Sequence, residues 1–175
     1  IMGIMVLLTI AIFIIVLIFA FTRGAGTTIW FLILAIILGI ISSGLSSVLA
    51  PMIDIGKHKD VENSRGLWEL IFFSVSIISA LPFSIFLDKY TQWVFDPADW
   101  FFAFIFGVIT CCIVVHYFLE SFYFASHGNE IRVTFENSQL FRQMVQFEGW
   151  HNFVTWFNTV VSGEKRPTID LPPDK

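Results

Sequence analysis

FTRGAGTTIW, Phe21 to Trp30, interrupts an apolar run that starts at Met2 and resumes as far as Met52. Glycine and threonine replace leucine and isoleucine there, and Arg23 supplies a charge. The stretch reads as a connection between two membrane spans, Met2–Phe21 and Thr28–Met52. Two further apolar segments, Leu67–Leu87 and Trp100–Phe124, also reach the roughly 20 residues needed to cross about 30 Å of hydrocarbon. No water is present at that depth to satisfy backbone groups, so each span is expected to be an α-helix. Continuous apolar runs without alternation argue against a β-barrel.

Composition agrees with this patterning. Of 175 residues, 56% are hydrophobic and only 14% charged, well outside the balance of a soluble domain. Mean hydropathy is +0.77 and the sequence pI is near 5.4. A net charge of -4 offers no basic surface for nucleic acid, which is set aside as a partner. The expected fold is an all-α membrane protein: four transmembrane helices over 1–126, then a C-terminal segment over 127–175 with an amphipathic helix and an extended tail. The first run lacks a basic region before it and is longer than a signal-peptide core, so it reads as a retained span.

Lys and Arg resist translocation, and their distribution sets the orientation. Arg23 and Lys89 lie in the first and third connections. Lys57, Lys59 and Arg65 lie in the middle loop, and Arg132, Arg142, Lys165, Arg166 and Lys175 lie in the tail, a split of eight against two. Both termini and the middle loop are therefore expected on the cytoplasmic side, or the matrix side of a mitochondrial inner membrane; a bacterial inner membrane is the other expected location. Tyr90, Trp93, Phe95 and Trp100, with Trp30, would form the aromatic belt on the opposite side. In the third connection, Asp96, Pro97 and Asp99 have the spacing of an N-cap, a first-position proline and a first-turn acid.

The tail changes character. Residues 130–136 alternate apolar and polar, as a short strand would. From Ser138 the apolar spacing becomes helical, and Trp150, Phe153, Val154 and Phe157 form one face suited to a groove on a partner. That face lacks the basic residues of an anionic-lipid binder.

Two sets of residues stand out within the spans. Ala35, Gly39, Ser43 and Ser47 recur at intervals of four, a small-residue stripe that lets a neighbouring helix come close; Ile40 reads as facing elsewhere. Cys112, His116 and Glu120 stack along one side of the last span, and Glu69 in the third lies at a similar depth. Ionisable groups in a membrane are candidates for proton, ion or ligand handling. The same residues also suit structural hydrogen bonding and snorkelling to headgroups. One histidine and one carboxylate fall short of a metal site, and no cofactor or catalytic residue is expected. Cys111 and Cys112 read as free thiols buried in helix.

These features lead to an expected non-catalytic integral membrane subunit or assembly element of a larger membrane complex, with lipid and other membrane subunits as partners. A small oligomeric channel or transporter subunit with Glu69, His116 and Glu120 in its ion or proton pathway is the alternative. An electron-transfer or membrane-enzyme subunit comes third. The orientation has a direct check: a cysteine at position 58, with the native thiols replaced, reacts with an impermeant maleimide only from the side bearing the termini. Labelling from the opposite side overturns the topology.

Overall fold

The computed structural model describes residues 2–53, 55, 61–126, 156 and 159–160. These residues are helical with connecting turns and contain no strand; the three long helices are α1 (Met2–Leu49), α2 (Val61–Thr91) and α3 (Asp99–Ala125). Each is long and apolar enough to cross a membrane. The extended segment expected over 130–136 and the face formed by Trp150, Phe153, Val154 and Phe157 lie outside the described residues. Trp156, Thr159 and Val160 are helical.

The 48 residues of α1 are interrupted at Gly24, whose φ of 82° and ψ of 177° leave helical geometry. A side chain rarely tolerates this φ, which glycine adopts freely. The Phe19 and Phe31 ring centroids lie 5.4 Å apart. Twelve residues of straight helix would separate them by about 18 Å, so the chain doubles back at Gly24. Thr28 Oγ1 donates to the Gly24 carbonyl at 2.7 Å, within the first turn after the break.

Acidic residues from the other two helices hold this reversal. Asp99 Oδ1 accepts from the Ala25 N–H at 3.0 Å, and Asp88 Oδ2 accepts from Thr27 Oγ1 at 2.7 Å. Asp99 thus caps a helix N-terminus from 74 residues away. Asp88 lies in the last turn of α2, where the helix dipole disfavours an acid, and the Thr27 hydroxyl offsets this.

The ends of the helices have local causes. Beyond Leu49, Pro51 disfavours helical geometry at Ala50. The Met52 and Ile53 N–H groups then turn back to the Leu49 carbonyl at 3.0 and 2.8 Å. α2 starts at Val61, so Asn63, Ser64 and Arg65 are helical and not part of the middle loop as their sequence context suggested. It runs through Pro82 and stops where Gln92 takes a φ of 47°. Asp96 is not the N-cap of α3. The Phe101 and Phe102 N–H groups bond the Ala98 carbonyl at 3.0 and 3.1 Å, which puts the cap at Ala98. Pro97 stands in the turn before it, after a cis peptide bond.

The chain forms two compact units, each drawing on all three helices: Gly3–Gly39 with Phe73–Tyr117, and Ile1–Met2 with Ile40–Phe72 and Phe118–Lys175. In the first, Val16, Phe31, Ala80 and Cys111 are the buried centre, flanked by Ile12, Leu34, Leu38 and Ile77 among others. A Cβ at Gly39 would overlap the Tyr117 ring, and one at Gly107 would stand 2.9 Å from the Ala20 Cβ. In the second unit, a Cβ at Gly66 would collide with the α3 backbone at Phe124 and Ala125. α3 is the most buried helix: 56% of its most apolar stretch is covered, against 17% for α1 and for α2. Ala35, Gly39 and Ser43 are buried and Ser47 is half-buried; Ile40, expected to face elsewhere, is buried too.

The glycines provide an internal comparison. Gly39→Ala and Gly66→Ala should each lower stability by about 1–3 kcal/mol through overpacking. Gly44→Ala meets nothing within 4 Å. Its outcome should be neutral, or stabilising by up to about 1 kcal/mol from helix propensity. Thermal unfolding in detergent measures all three; equal tolerance would remove the close-approach argument.

Candidate functional site

The second unit concentrates the buried polar side chains of three chain segments. At the end of α1, the Ser43 carbonyl accepts from both Ser46 Oγ and Ser47 Oγ at 2.8 Å, so these serines satisfy themselves within the helix. Ser64 and Trp68 of α2 then stitch down the segment after α1. Ser64 Oγ and Trp68 Nε1 donate to the Ile53 carbonyl at 3.2 and 3.1 Å, and the Ile55 N–H donates to Ser64 Oγ at 3.3 Å. Asn63 Nδ2 donates to the Ala125 carbonyl. This satisfies one of the last carbonyls of α3, which has no intrahelical donor.

Two carboxylates lie inside this framework. Glu69 is 0% exposed and Glu120 is 1% exposed. Their depth follows from the Gly66 contact with Ala125. Glu69 is three residues in from Gly66 and Glu120 five residues in from Ala125, which places them within about 3 Å of the same height. Ser121, completely buried, is next to Glu120. Arg65 lies one turn before Glu69 on α2, at the spacing that places side chains on one face. Burying an ion costs several kcal/mol unless charge and hydrogen bonds offset it, so two buried carboxylates at one level are a costly feature.

His116 and Cys112 belong to the other unit. His116 is buried at 3% exposure, and its ring lies edge-on to Tyr117 with centroids 6.0 Å apart. Cys112 is exposed. At 100° per residue, each step of four drifts by about 40°, so Cys112 and Glu120 diverge by about 80° around α3. The buried thiol is Cys111, whose Sγ lies 3.7 Å from the Phe13 carbonyl. Among the described residues, no three His, Cys, Asp or Glu side chains gather as a metal site would require.

Asn63, Ser64, Tyr117 and Ser121 are buried polar residues that periodicity alone did not single out. The first two looked like loop residues. Tyr117 and Ser121 flank His116 and Glu120 in sequence, and their adjacency was the available signal.

No protein family, curated relative or solved structure matches this chain. The reading of the polar unit therefore rests on its own chemistry. Asn63→Ala removes the donor to Ala125 and should cost about 1 kcal/mol, the usual net worth of such a bond. Glu120→Gln retains shape and most hydrogen-bonding capacity and should fold with near-native stability. Thermal unfolding of the purified variants checks both, and a severe loss in Glu120→Gln would mean that the negative charge itself holds the fold.

Proposed function

We propose that the chain crosses the membrane four times, with α1 contributing two crossings on either side of Gly24, and acts as a non-catalytic subunit or assembly element of a larger membrane complex. The observation that carries this is the uncovered apolar surface. Only 17% of the most apolar stretch of α1, and of α2, is buried within the chain. Isoleucines on both helices remain open, including Ile14, Ile15, Ile18, Ile71 and Ile78. Lipid tails cover part of such a surface, and apolar helices of other subunits suit the rest. The eight-to-two basic split supports placing both termini in the cytoplasm or matrix. The segment 127–175, with the apolar residues Trp150, Phe153, Val154 and Phe157, is the proposed partner-binding element.

A second reading draws on the burial of Glu69 and Glu120 at one height: an ion or proton pathway completed by oligomerisation, with His116 as a further titratable group. In that case a neutral amide cannot carry charge or release a proton. Glu120→Gln would then abolish flux in proteoliposomes while leaving assembly intact.

The subunit reading is tested by deleting residues 138–175. The four crossings should still insert, and mild detergent extraction should yield the truncated chain at its own size, detached from its complex. Retention of the full-size complex would move the tail from partner binding to a membrane-surface role.

A further inference from the structure

The connection between α2 and α3 has its polarity reversed relative to a loop in water. The carboxylates at its two ends turn inward: Asp88 takes the Thr27 hydroxyl and Asp99 the Ala25 N–H. Large apolar groups in the connection and on the helix ends beside it turn outward. Val94 is 82% exposed, Tyr90 74% and Trp100 67%. Phe95 packs on Phe102 and Phe106, at centroid distances of 5.4 and 6.2 Å, and draws the connection down along α3. Trp93 stacks on Trp30 at 5.2 Å, and the Trp30 indole donates to Thr91 at 2.9 Å, fixing the other flank to α1.

Two backbone bonds close the ends of the connection. The Gln92 N–H bonds the Asp88 carbonyl, and the Ala98 N–H bonds the Phe95 carbonyl, both at 2.9 Å. Such internal pairing lowers the cost of leaving water. Exposed aromatic residues also occur on the adjoining helices, Phe83 and Phe86 on α2 and Phe101 and Phe104 on α3. Lys89 in the last turn of α2 and Asp96 in the connection are exposed. Exposed charge beside exposed aromatic rings suits the headgroup layer, where Trp and Tyr concentrate; it suits neither bulk water nor the hydrocarbon centre.

We infer that the Gln92–Ala98 connection, with the helix ends that flank it, is a lipid-surface anchor, seated at the boundary between headgroups and acyl chains with Val94 and Trp100 against lipid and Lys89 and Asp96 among the headgroups. This rests on the membrane reading above and deepens it by assigning one connection to one layer.

The test uses the full chain in phosphatidylcholine nanodiscs, with the native thiols replaced. An environment-sensitive fluorophore is attached at Val94→Cys in one sample and at Ile78→Cys, on the open mid-helix face of α2, in the other. The Val94 site should show blue-shifted emission, strong loss of intensity with a nitroxide on the lipid headgroup, and little loss with aqueous iodide. The Ile78 site should be quenched best by a nitroxide at the acyl-chain terminus. Iodide quenching at Val94 together with chain-terminus quenching at Ile78 overturns the anchor and leaves the membrane reading standing. Chain-terminus quenching at both sites also overturns it, by placing the connection too deep. Iodide quenching at both sites overturns the membrane reading itself.

Discussion

The fold depends on missing side-chain atoms. Gly39, Gly66 and Gly107 each stand where a Cβ would strike a neighbour, and each of these contacts involves α3. Helices immersed in hydrocarbon gain little by hiding apolar surface from one another, so their cohesion comes from dispersion and polar contacts that act only at short range. At Gly66 the approach is backbone to backbone, which brings α2 close enough for Asn63 to reach the Ala125 carbonyl. At Gly39 the freed space receives a tyrosine ring, which also meets Phe73 at 4.9 Å. The heavy burial of α3 is therefore a consequence of the glycines of α1 and α2 as well as of its own composition.

That close approach also permits the polar interior of the second unit. Serines bonded within their own helix need nothing from a neighbour, and can be buried at low cost. A carboxylate cannot donate to a carbonyl of its own helix, so burying Glu69 and Glu120 depends on charge or hydrogen bonds from other side chains. This difference sets the two glutamates apart from the serines of α1 in the cost of burying them.

The apolar runs made the helices legible in the sequence. The span read at Trp100–Phe124 differs from α3 by a residue at each end, and the glycine-containing interruption near residue 24 does mark a change of direction. Local patterns failed where the interaction was distant. Asp99 was legible as a first-turn acid of its own helix, yet its partner, the Ala25 N–H, lies 74 residues away and leaves no periodic trace. The proposed cap at Asp96 failed for a related reason, because the turn at Pro97 moved the helix start beyond it. The stacked series Cys112, His116 and Glu120 was legible as a row, but the 40° drift per step carries Cys112 to the surface.

The reversal at Gly24 also bears on how this sequence can change over generations. Each half of α1 is in phase with partners elsewhere: Phe19 with Phe31, Ala20 with Gly107, Gly39 with Tyr117. Replacing one aliphatic residue by another on the open faces leaves those phases untouched. Inserting a single residue between Thr28 and Leu38 turns Gly39 by about 100° and lifts it by about 1.5 Å, placing a bulky neighbour against the tyrosine ring. Substitution on the open faces is therefore cheap and length change is not, so related sequences should drift in composition on those faces while keeping a fixed count of residues from the bend to Gly39.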